Sequence, residues 1–204
     1  MEITFEQARL VFVVYTSAII PLILIPYLYF KNSIPKWVPF IYFSMFIMCA
    51  LGWEIWFTYG FVEGDNVDLR RSDVLSQLIP IHINWFMNSL ADAGTICMGG
   101  IYITWRIMKR NNEMFHVWKW KCFFILLMIC ISQNIFVEMY LYHDQLSIGK
   151  SLSWAPFSPL GSWFNPVLFT LDDRTIFLQS QIPWIVMAPT FYGFLVCYNK
   201  IKQK

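Results

Sequence analysis

The chain has 204 residues and a net charge of +2 at pH 7, and 57% of its residues are hydrophobic while only 14% are charged. Its mean hydropathy is +0.50. A soluble domain of this length could not bury so much apolar surface, so the composition excludes a soluble globular protein and predicts a polytopic membrane protein.

Five apolar segments are long enough to cross a bilayer, which takes about 20 mainly apolar residues. They cover residues 10–30, 38–60, 79–105, 121–142 and 175–198. The first lacks the small-residue cleavage site of a signal peptide, so we interpret it as a span. No linker is polar enough to divide the chain. The sequence therefore predicts an all-α fold, a single domain over residues 1–204 that forms a bundle of five transmembrane helices.

Basic residues are unevenly divided between the predicted loops. Ten of the fifteen Lys and Arg lie in loops 31–37 and 106–121 and in the C-terminal tail, where Glu113 is the one acidic residue. By the positive-inside rule this side is cytosolic. The N-terminus is therefore predicted to be lumenal and the C-terminus cytosolic. Helices four and five are then joined by a long lumenal loop, residues 145–174.

The C-terminal tail carries a second localisation signal. Lys200 and Lys202 stand fifth and third from the end, as in the K-x-K-x-x signal that returns membrane proteins to the endoplasmic reticulum. Such a signal requires a cytosolic tail, which the charge distribution predicts independently. The alternative is a basic flank that only anchors the fifth helix. The first interpretation places the protein in the endoplasmic reticulum.

Glu54, Asp92 and Glu138 are the acidic residues that lie inside the predicted spans. A charge at mid-bilayer costs roughly 3 kcal/mol on insertion scales, so such residues usually face a protein interior and have a function. Because the three lie on different helices, we predict that they share one polar pocket. They are the candidate catalytic residues.

The first span carries Pro21 and Pro26 and is interpreted as a packing or lid helix.

The second span contains Glu54, the first of these acids, between two aromatic residues, Trp53 and Trp56. At 1.5 Å per residue, Glu54 lies about 9 Å from the lumenal end of the second span, beyond easy reach of water. The alternative is a side chain that reaches the lumen from within an aromatic interfacial belt.

The third span carries a polar stripe. Asn84, Asn88 and Asp92 are spaced four apart, so they line one face of the helix. Such a stripe opposite Leu, Ile and Met indicates a face turned toward a cavity or another polar helix. The alternative is interhelical hydrogen bonding that only holds helices together, worth around 0.6 kcal/mol per contact. We favour a site because Asp92 adds a carboxyl group near the middle of the span.

The fourth and fifth spans add further polar groups to the lumenal half. Asn134 and Glu138 share one face of the fourth, and Gln181 and Trp184 are near neighbours on the fifth. Aromatic residues, which make up 19% of the chain, are frequent around them. The candidate binding residues are therefore Trp53, Trp56, Asn84, Asn88, Asn134, Gln181 and Trp184.

The three histidines and five cysteines follow no metal-binding pattern. The sequence contains no H-x-x-x-H pair, no C-x-x-C pair, no glycine-rich nucleotide motif and no nucleophile elbow. The cysteines lie within or at the edges of apolar segments and are interpreted as reduced packing residues. We therefore predict no metal, no cofactor and no nucleic-acid partner.

An acidic pocket walled by aromatic rings has a chemical use. Apolar surroundings favour the protonated form of a carboxyl group, which can then donate its proton near pH 7. Ring faces and a second, ionised carboxylate can stabilise the carbocation that protonation creates. A hydrophobic substrate would reach such a pocket from the lipid.

Over residues 45–195 the chain resembles the EXPERA group of membrane proteins, which includes the emopamil-binding sterol isomerases and the sigma-2 receptor. The likeness rests on residues 53–57, 92–105 and 181–189 and on Gln133 with Tyr140. Ala50 and Gln181 stand where the isomerases have histidine and asparagine. The resemblance implies four or five spans, a lumenal N-terminus, the endoplasmic reticulum, and a sterol-sized pocket where an acidic pair moves protons.

The Trp53-Glu54 pair and a second acid later in the chain also resemble the membrane terpene cyclases of fungal meroterpenoid and indole-diterpene pathways. Those enzymes protonate an epoxide and guide the cyclisation of a polyprenyl tail, usually with seven spans. The five predicted spans favour the first comparison, and the motif on the second helix favours the other.

The leading interpretation is an intramembrane acid–base isomerase or cyclase that acts on a sterol or isoprenoid through protonation and a carbocation. One alternative is a non-catalytic sterol or lipid binder. Another is a structural subunit whose acids pair with basic residues of a neighbouring chain. The predicted partners are the hydrophobic substrate and the lipid bilayer, and a homodimer is left open.

Overall fold

The computed structural model describes residues 2–60, 66–141, 163, 166–171 and 174–202, and helices account for most of them. In chain order the elements are α1 (Phe5–Phe30), α2 (Val38–Leu51), α3 (Trp53–Tyr59), α4 (Val67–Arg70), α5 (Asp73–Leu78), α6 (Ile81–Ala91), the π-helix π1 (Asp92–Met98), α7 (Gly99–Ile107), a 3₁₀ turn (Asn112–Phe115), α8 (Trp120–Phe136), the π-helix π2 (Val137–Leu141), strands β1 (Val167–Leu171) and β2 (Arg174–Phe177), and α9 (Leu178–Lys202).

Three helices in the described ranges are long and apolar enough to cross a membrane: α1, α8 continued by π2, and α9. α2 and α3 meet the same test as a pair, bent by 41° at the break between them, and make a fourth span if the pair is one broken helix. The protein is therefore a helical membrane protein with three or four candidate spans. The predicted third span forms α6, π1 and α7 and is not among these candidates, so five spans stay a prediction.

The all-α prediction is wrong at one point, because β1 and β2 form a two-stranded antiparallel sheet. The sequence predicts a fifth helix from residue 175, whereas that position belongs to β2 and α9 begins at Leu178. Both strands are rich in residues that favour a pleated backbone, but a short apolar run is equally compatible with helix and strand. Most of the predicted lumenal loop, residues 145–162, 164–165 and 172–173, lies outside the described residues.

α1 is one continuous helix of 26 residues, although it contains two prolines. Its N-terminus is fixed by a capping box in which Thr4 and Gln7 each accept the other's backbone N–H, at 3.2 and 3.0 Å. Farther along, Pro21 packs against Gly94 of π1, where a β-carbon would lie 2.4 Å from the proline ring. The close approach of α1 to π1 therefore requires glycine at position 94.

The core is formed by side chains from α1, α2, α6, π1, α7, α8 and α9. The most extensive contacts are those of α1 with α6 and of α8 with α9, and α2 packs against π1. The fully buried core side chains include Ile41, Met45, Leu126, Phe191 and Leu195. This arrangement places α3, π1, π2 and α9 around a common interior.

Arg71 anchors the segment between α3 and α6. Its side chain is fully buried and donates to Asp68 at 2.6 Å, to Ser76 and Asn84 at 3.1 Å each, and to the carbonyl of Ile79. Burial lowers the pKa of Arg71, while the carboxylate of Asp68 opposes that shift. The guanidinium group remains charged because the ordinary pKa of arginine is so high. A buried charge paired in this way fixes α4 and α5 against α6.

Candidate functional site

A cavity of about 260 Å³ lies between α1, α3, α6, π1, α8, π2 and α9. This volume is just below the ~300–1,000 Å³ that is typical of small-molecule sites in proteins. Leucine, valine, phenylalanine and tryptophan side chains form much of its wall. The polar lining residues are Ser17, Glu54, Asn88, Asp92, Thr95, Gln133, Asn134, Glu138 and Ser180. The structure thus brings the three predicted acids to one chamber.

Each of the three acids lies at an irregularity in its helix. Glu54 follows the break between α2 and α3 at Gly52, where a β-carbon would lie 2.6 Å from the carbonyl oxygen of Met48. Asp92 is the first residue of π1, and Glu138 is the second residue of π2. π-Helical turns are rare and are frequent at functional sites. The irregular backbone therefore coincides with the positions where carboxyl groups meet the cavity.

Glu54 and Asp92 form an acid pair. The indole N–H of Trp53 donates to Oδ2 of Asp92 at 2.8 Å, and the two carboxyl groups are close enough to interact electrostatically. Glu54 is 6% exposed, and its Oε2 has no hydrogen-bond partner among the described residues. Asn88 lies beside Glu54 and can donate to its carboxyl group, although its amide nitrogen lies outside ordinary hydrogen-bond geometry. One carboxyl group of the pair is therefore held by a donor, while the other has an unpaired oxygen.

Glu138 is surrounded by hydrogen-bond donors. Its Oε1 accepts from the amide of Asn134 at 3.1 Å, and its Oε2 accepts from the hydroxyl of Ser180 and the amide of Gln181, both at 3.2 Å. Asn134 also donates to the side-chain oxygen of Gln181 at 2.9 Å. Asn134 and Glu138 lie on α8 and π2, whereas the other two residues lie on α9. The network therefore joins the fourth and fifth predicted spans beside the cavity.

Two tryptophans form an aromatic corner of the wall. The rings of Trp53 and Trp184 lie 5.5 Å apart between centroids, at an angle of 54°. Trp184 is buried, and both residues line the cavity together with Phe57 and Phe136. Aromatic ring faces are electron-rich and attract cations, most strongly in tryptophan. Such ring faces would stabilise a positive charge that developed beside them.

Asn84, a predicted binding residue, lies outside the described cavity wall. Its side-chain oxygen accepts from Arg71 at 3.1 Å, and its amide donates to Thr58 at 3.5 Å. Eight residues separate it from Asp92, which corresponds to about 12 Å along a helix. The three residues of the predicted stripe therefore have different surroundings. Asn84 binds Arg71, and only Asn88 and Asp92 line the cavity.

Two other predicted residues also lie outside the described wall, and several residues that were not predicted lie in it. Trp56 is half-buried on α3, and Gln181 supports Glu138 from behind the wall. Conversely, Gln133 and Ser180 line the cavity, although the polar pattern alone does not single them out. The signal for Gln133 is its place next to Asn134 in an otherwise apolar helix. Ser180 becomes recognisable only through its hydrogen bond to Glu138.

The cavity reaches the outer surface of the bundle beside α1 and α8. Thr95 and Phe136 line the cavity and are both exposed, Phe136 by 55%. The hydroxyl of Thr95 donates to the carbonyl of Ser17 on α1 at 2.6 Å, which places α1 at the edge of this opening. Phe136 belongs to a candidate membrane span. This edge of the cavity therefore lies at the side of a candidate membrane span.

Within the described ranges, no three His, Cys, Asp or Glu side chains are arranged to hold a metal ion. Cys49 and Cys97 lie side by side near the acid pair, and the cysteines are free thiols. That the protein works without a metal or cofactor stays a prediction.

Comparisons with protein-family models, with curated proteins and with solved structures found no match. The resemblance to the EXPERA group and to the fungal cyclases therefore stays a prediction, drawn from the residues quoted for it. The site is interpreted from its own geometry.

Proposed function

We propose that the protein is an intramembrane acid–base enzyme, an isomerase or a cyclase, that acts on a sterol or isoprenoid through protonation and a carbocation. The observation that supports this most is the convergence of Glu54, Asp92 and Glu138 on one tryptophan-walled cavity. Carboxyl groups in an apolar interior are costly, and those in membrane proteins usually have a function. Since the acids face inward, pairing with a neighbouring chain explains them less well.

Glu54 is the proposed proton donor. Two ionised carboxylates side by side in an apolar interior repel each other, so the Glu54–Asp92 pair is expected to share a proton. A carboxylate that accepts an N–H bond is stabilised in its charged form, and Asp92 accepts one from Trp53. The proton is therefore assigned to Glu54, whose Oε2 is unpaired within the described chain.

In the proposed reaction the O–H bond of Glu54 breaks, and its proton forms a new C–H bond at one carbon of a substrate double bond. The neighbouring carbon becomes cationic and is stabilised by Asp92 and by the ring faces of Trp53 and Trp184. In a cyclisation, a second double bond then attacks this cation. Asp92 or Glu138 finally removes a proton from an adjacent carbon, which forms the product double bond without any oxidant or reductant. Proton transfer between the acids restores Glu54.

The proposal includes a fuller topology. The helix from α6 to α7 is the third of five spans, the N-terminus is lumenal, and the C-terminus is cytosolic. The uneven distribution of Lys and Arg supports this orientation. In it, the predicted loop 145–174 is lumenal, on the side of the cavity. Lys200 and Lys202 support residence in the endoplasmic reticulum.

A deuterium-uptake experiment tests the proposal for any sterol or isoprenoid substrate. The purified chain in lipid nanodiscs is incubated with sterol and isoprenoid extracts in heavy water, and carbon-bound deuterium in the lipids is measured by mass spectrometry. Protonation at carbon predicts deuterium uptake into one lipid class. Glu54→Gln and Asp92→Asn should lower the uptake by about 100-fold or more, because a positioned general acid contributes that much.

The matched control is Glu113→Gln, the same chemical change at an exposed acid on the 3₁₀ turn, where Glu113 pairs with Lys119 at 2.9 Å. This variant should take up deuterium like the unmodified chain. Equal uptake by the unmodified chain, Glu54→Gln and Asp92→Asn would refute the catalytic role of the pair.

A second candidate function is non-catalytic sterol or lipid binding, which the lateral opening beside Thr95 and Phe136 favours by itself. A binder predicts saturable sterol binding that cationic amphiphiles displace, with no deuterium uptake in the same preparation. Mass spectrometry of lipids that co-purify with the chain would name the ligand class under either function.

A further inference from the structure

Asn88 and Gln133 present amide groups to the cavity that the proposed reaction does not use. Both line the chamber, Asn88 from α6 and Gln133 from α8. The amide nitrogen of each is buried and has no hydrogen-bond partner in the described part of the chain. Asn88 as a whole is only 6% exposed. Because buried polar groups in folded proteins are almost always paired, these donors indicate a partner in the cavity, which Asn88 would share with the carboxyl group of Glu54 beside it.

The same chamber contains a third unpaired atom, Oε2 of Glu54, which lies next to Asn88. A carboxyl group and two N–H donors that line one cavity complement a ligand that carries an acceptor oxygen near its reacting double bond. A pure hydrocarbon would leave both amides unpaired in the bound state. The wall is therefore built for a ligand that is apolar over most of its surface and polar at one place.

The charge of the wall restricts that polar group further. Among the described lining residues there is no Lys, Arg or His, while three are acidic. Arg9, one residue before the lining residue Leu10, donates instead to the carbonyl of Tyr140 at 2.6 Å. A phosphate or carboxylate in the chamber would be repelled by the acids and would find no cation to pair with. The oxygen that fits is uncharged.

We propose that Asn88 and Gln133 form a subsite that binds an uncharged oxygen of the ligand, such as a carbonyl, ether, epoxide or hydroxyl oxygen. This subsite selects oxygenated neutral lipids over hydrocarbons and anionic lipids. It rests on the proposed function, in which the cavity is a lipid site. It adds the group that orients the ligand's double bond against Glu54.

Probes that share one chain and differ in one group test this subsite. The full chain in nanodiscs binds tritiated farnesyl methyl ether, and unlabelled farnesol, farnesene and farnesyl diphosphate compete with it. Farnesol should displace the label at a concentration about three- to tenfold below that of the hydrocarbon farnesene, the preference expected from one or two net hydrogen bonds. Farnesyl diphosphate should not displace it.

Asn88→Leu and Gln133→Leu replace the unpaired amides by apolar groups of similar size. Each should lower the preference for farnesol over farnesene, and the double variant should lower it to about one. The thermal unfolding midpoint of the ligand-free chain should stay the same or rise by about 2–4 °C, since an unpaired buried donor is lost. A purely structural role for these amides would instead lower that midpoint.

Asn199→Leu is the matched control. Asn199 is buried on α9, but its amide donates to the carbonyl of Leu195 at 3.1 Å, and it does not line the described cavity. Its replacement should lower the unfolding midpoint and keep the preference for farnesol.

Three outcomes overturn the subsite: unchanged preference in both leucine variants, displacement by farnesyl diphosphate as strong as by farnesol, or no saturable binding of any probe. If the preference for farnesol depends on Asn88 and Gln133 in a chain that takes up no deuterium, the subsite is retained and the catalytic proposal is removed. Loss of deuterium uptake in Glu54→Gln together with unchanged preference in the leucine variants would retain the catalytic proposal and remove the subsite.

Discussion

Trp53 donates its indole N–H to Oδ2 of Asp92 at 2.8 Å and thereby connects α3 to the first turn of π1. The next residue, Glu54, faces the same cavity. Trp53 therefore supplies the donor that binds Asp92, and the adjacent Glu54 supplies the other carboxyl group of the pair. This contact assigns Asp92 the charged role and Glu54 the proton in the proposed reaction.

Trp53→Phe tests this assignment by removing the N–H while keeping a ring beside Trp184. A hydrogen bond to a charged group is typically worth about 1.5–3 kcal/mol, so deuterium uptake should fall about tenfold or more. Trp105→Phe removes a similar bond, to Asn112 at 2.8 Å on the exposed surface, and should keep the full rate. Equal rates in the two variants would show that the contact does not serve the reaction.

Gly94 and Gly99 form a matched pair for the packing of π1. A β-carbon at Gly94 would lie 2.4 Å from the ring of Pro21, whereas at Gly99 it would meet one carbonyl oxygen at 3.9 Å. Gly94→Ala should therefore destabilise the chain by about 1–3 kcal/mol through overpacking. Gly99→Ala should be neutral or stabilising by up to about 1 kcal/mol. Thermal unfolding in detergent measures both, and equal stability of the two variants would contradict the close approach of α1 and π1.

Removal of the buried Arg71 should be among the most damaging changes outside the cavity. Arg71→Met leaves Asp68 and Asn84 without their shared partner, and loss of one member of a buried ion pair typically costs about 3–5 kcal/mol. Arg106→Met, at an exposed arginine next to Tyr102, serves as the control and should change stability little. A loss of less than about 1 kcal/mol for Arg71→Met would show that the segment between α3 and α6 is anchored in another way.

Periodicity predicted the chamber but not its exact wall. Four-residue spacing correctly placed Asn88 and Asp92 on one face, because that face depends only on helix geometry. It could not show that Asn84 lies outside the wall, because the side chain of Asn84 is bound by Arg71, a residue on a different element. The same applies to Ser180, whose contact with Glu138 depends on how α8 and α9 pack.

Backbone irregularities were the other feature that the sequence concealed. The π-turns at Asp92 and Glu138 leave no recognisable composition signal, since their residues suit an ordinary α-helix as well. The break before Glu54 has one visible cause, Gly52. The sequence does not distinguish β2 from the start of a helix, because a run of four residues is too short to show either period.

Glu54 and Glu138 are predicted to respond in opposite ways when each is changed to glutamine. Glu138 accepts hydrogen bonds from Asn134, Ser180 and Gln181, and an amide would turn an N–H toward some of these donors. Glu138→Gln should therefore lower stability by about 1–3 kcal/mol. Glu54 has an oxygen without a partner among the described residues, so Glu54→Gln should be neutral or stabilising while deuterium uptake is lost.

This contrast separates a carboxyl group kept for chemistry from one that also holds two helices together. Residues that serve activity at a cost to stability commonly gain stability when they are replaced. Both variants are measured by thermal unfolding in the same detergent, with Glu113→Gln as the control for the amide substitution itself. If Glu54→Gln is destabilised as much as Glu138→Gln, then Glu54 has structural partners in the folded chain, and its assignment as the proton donor loses its basis.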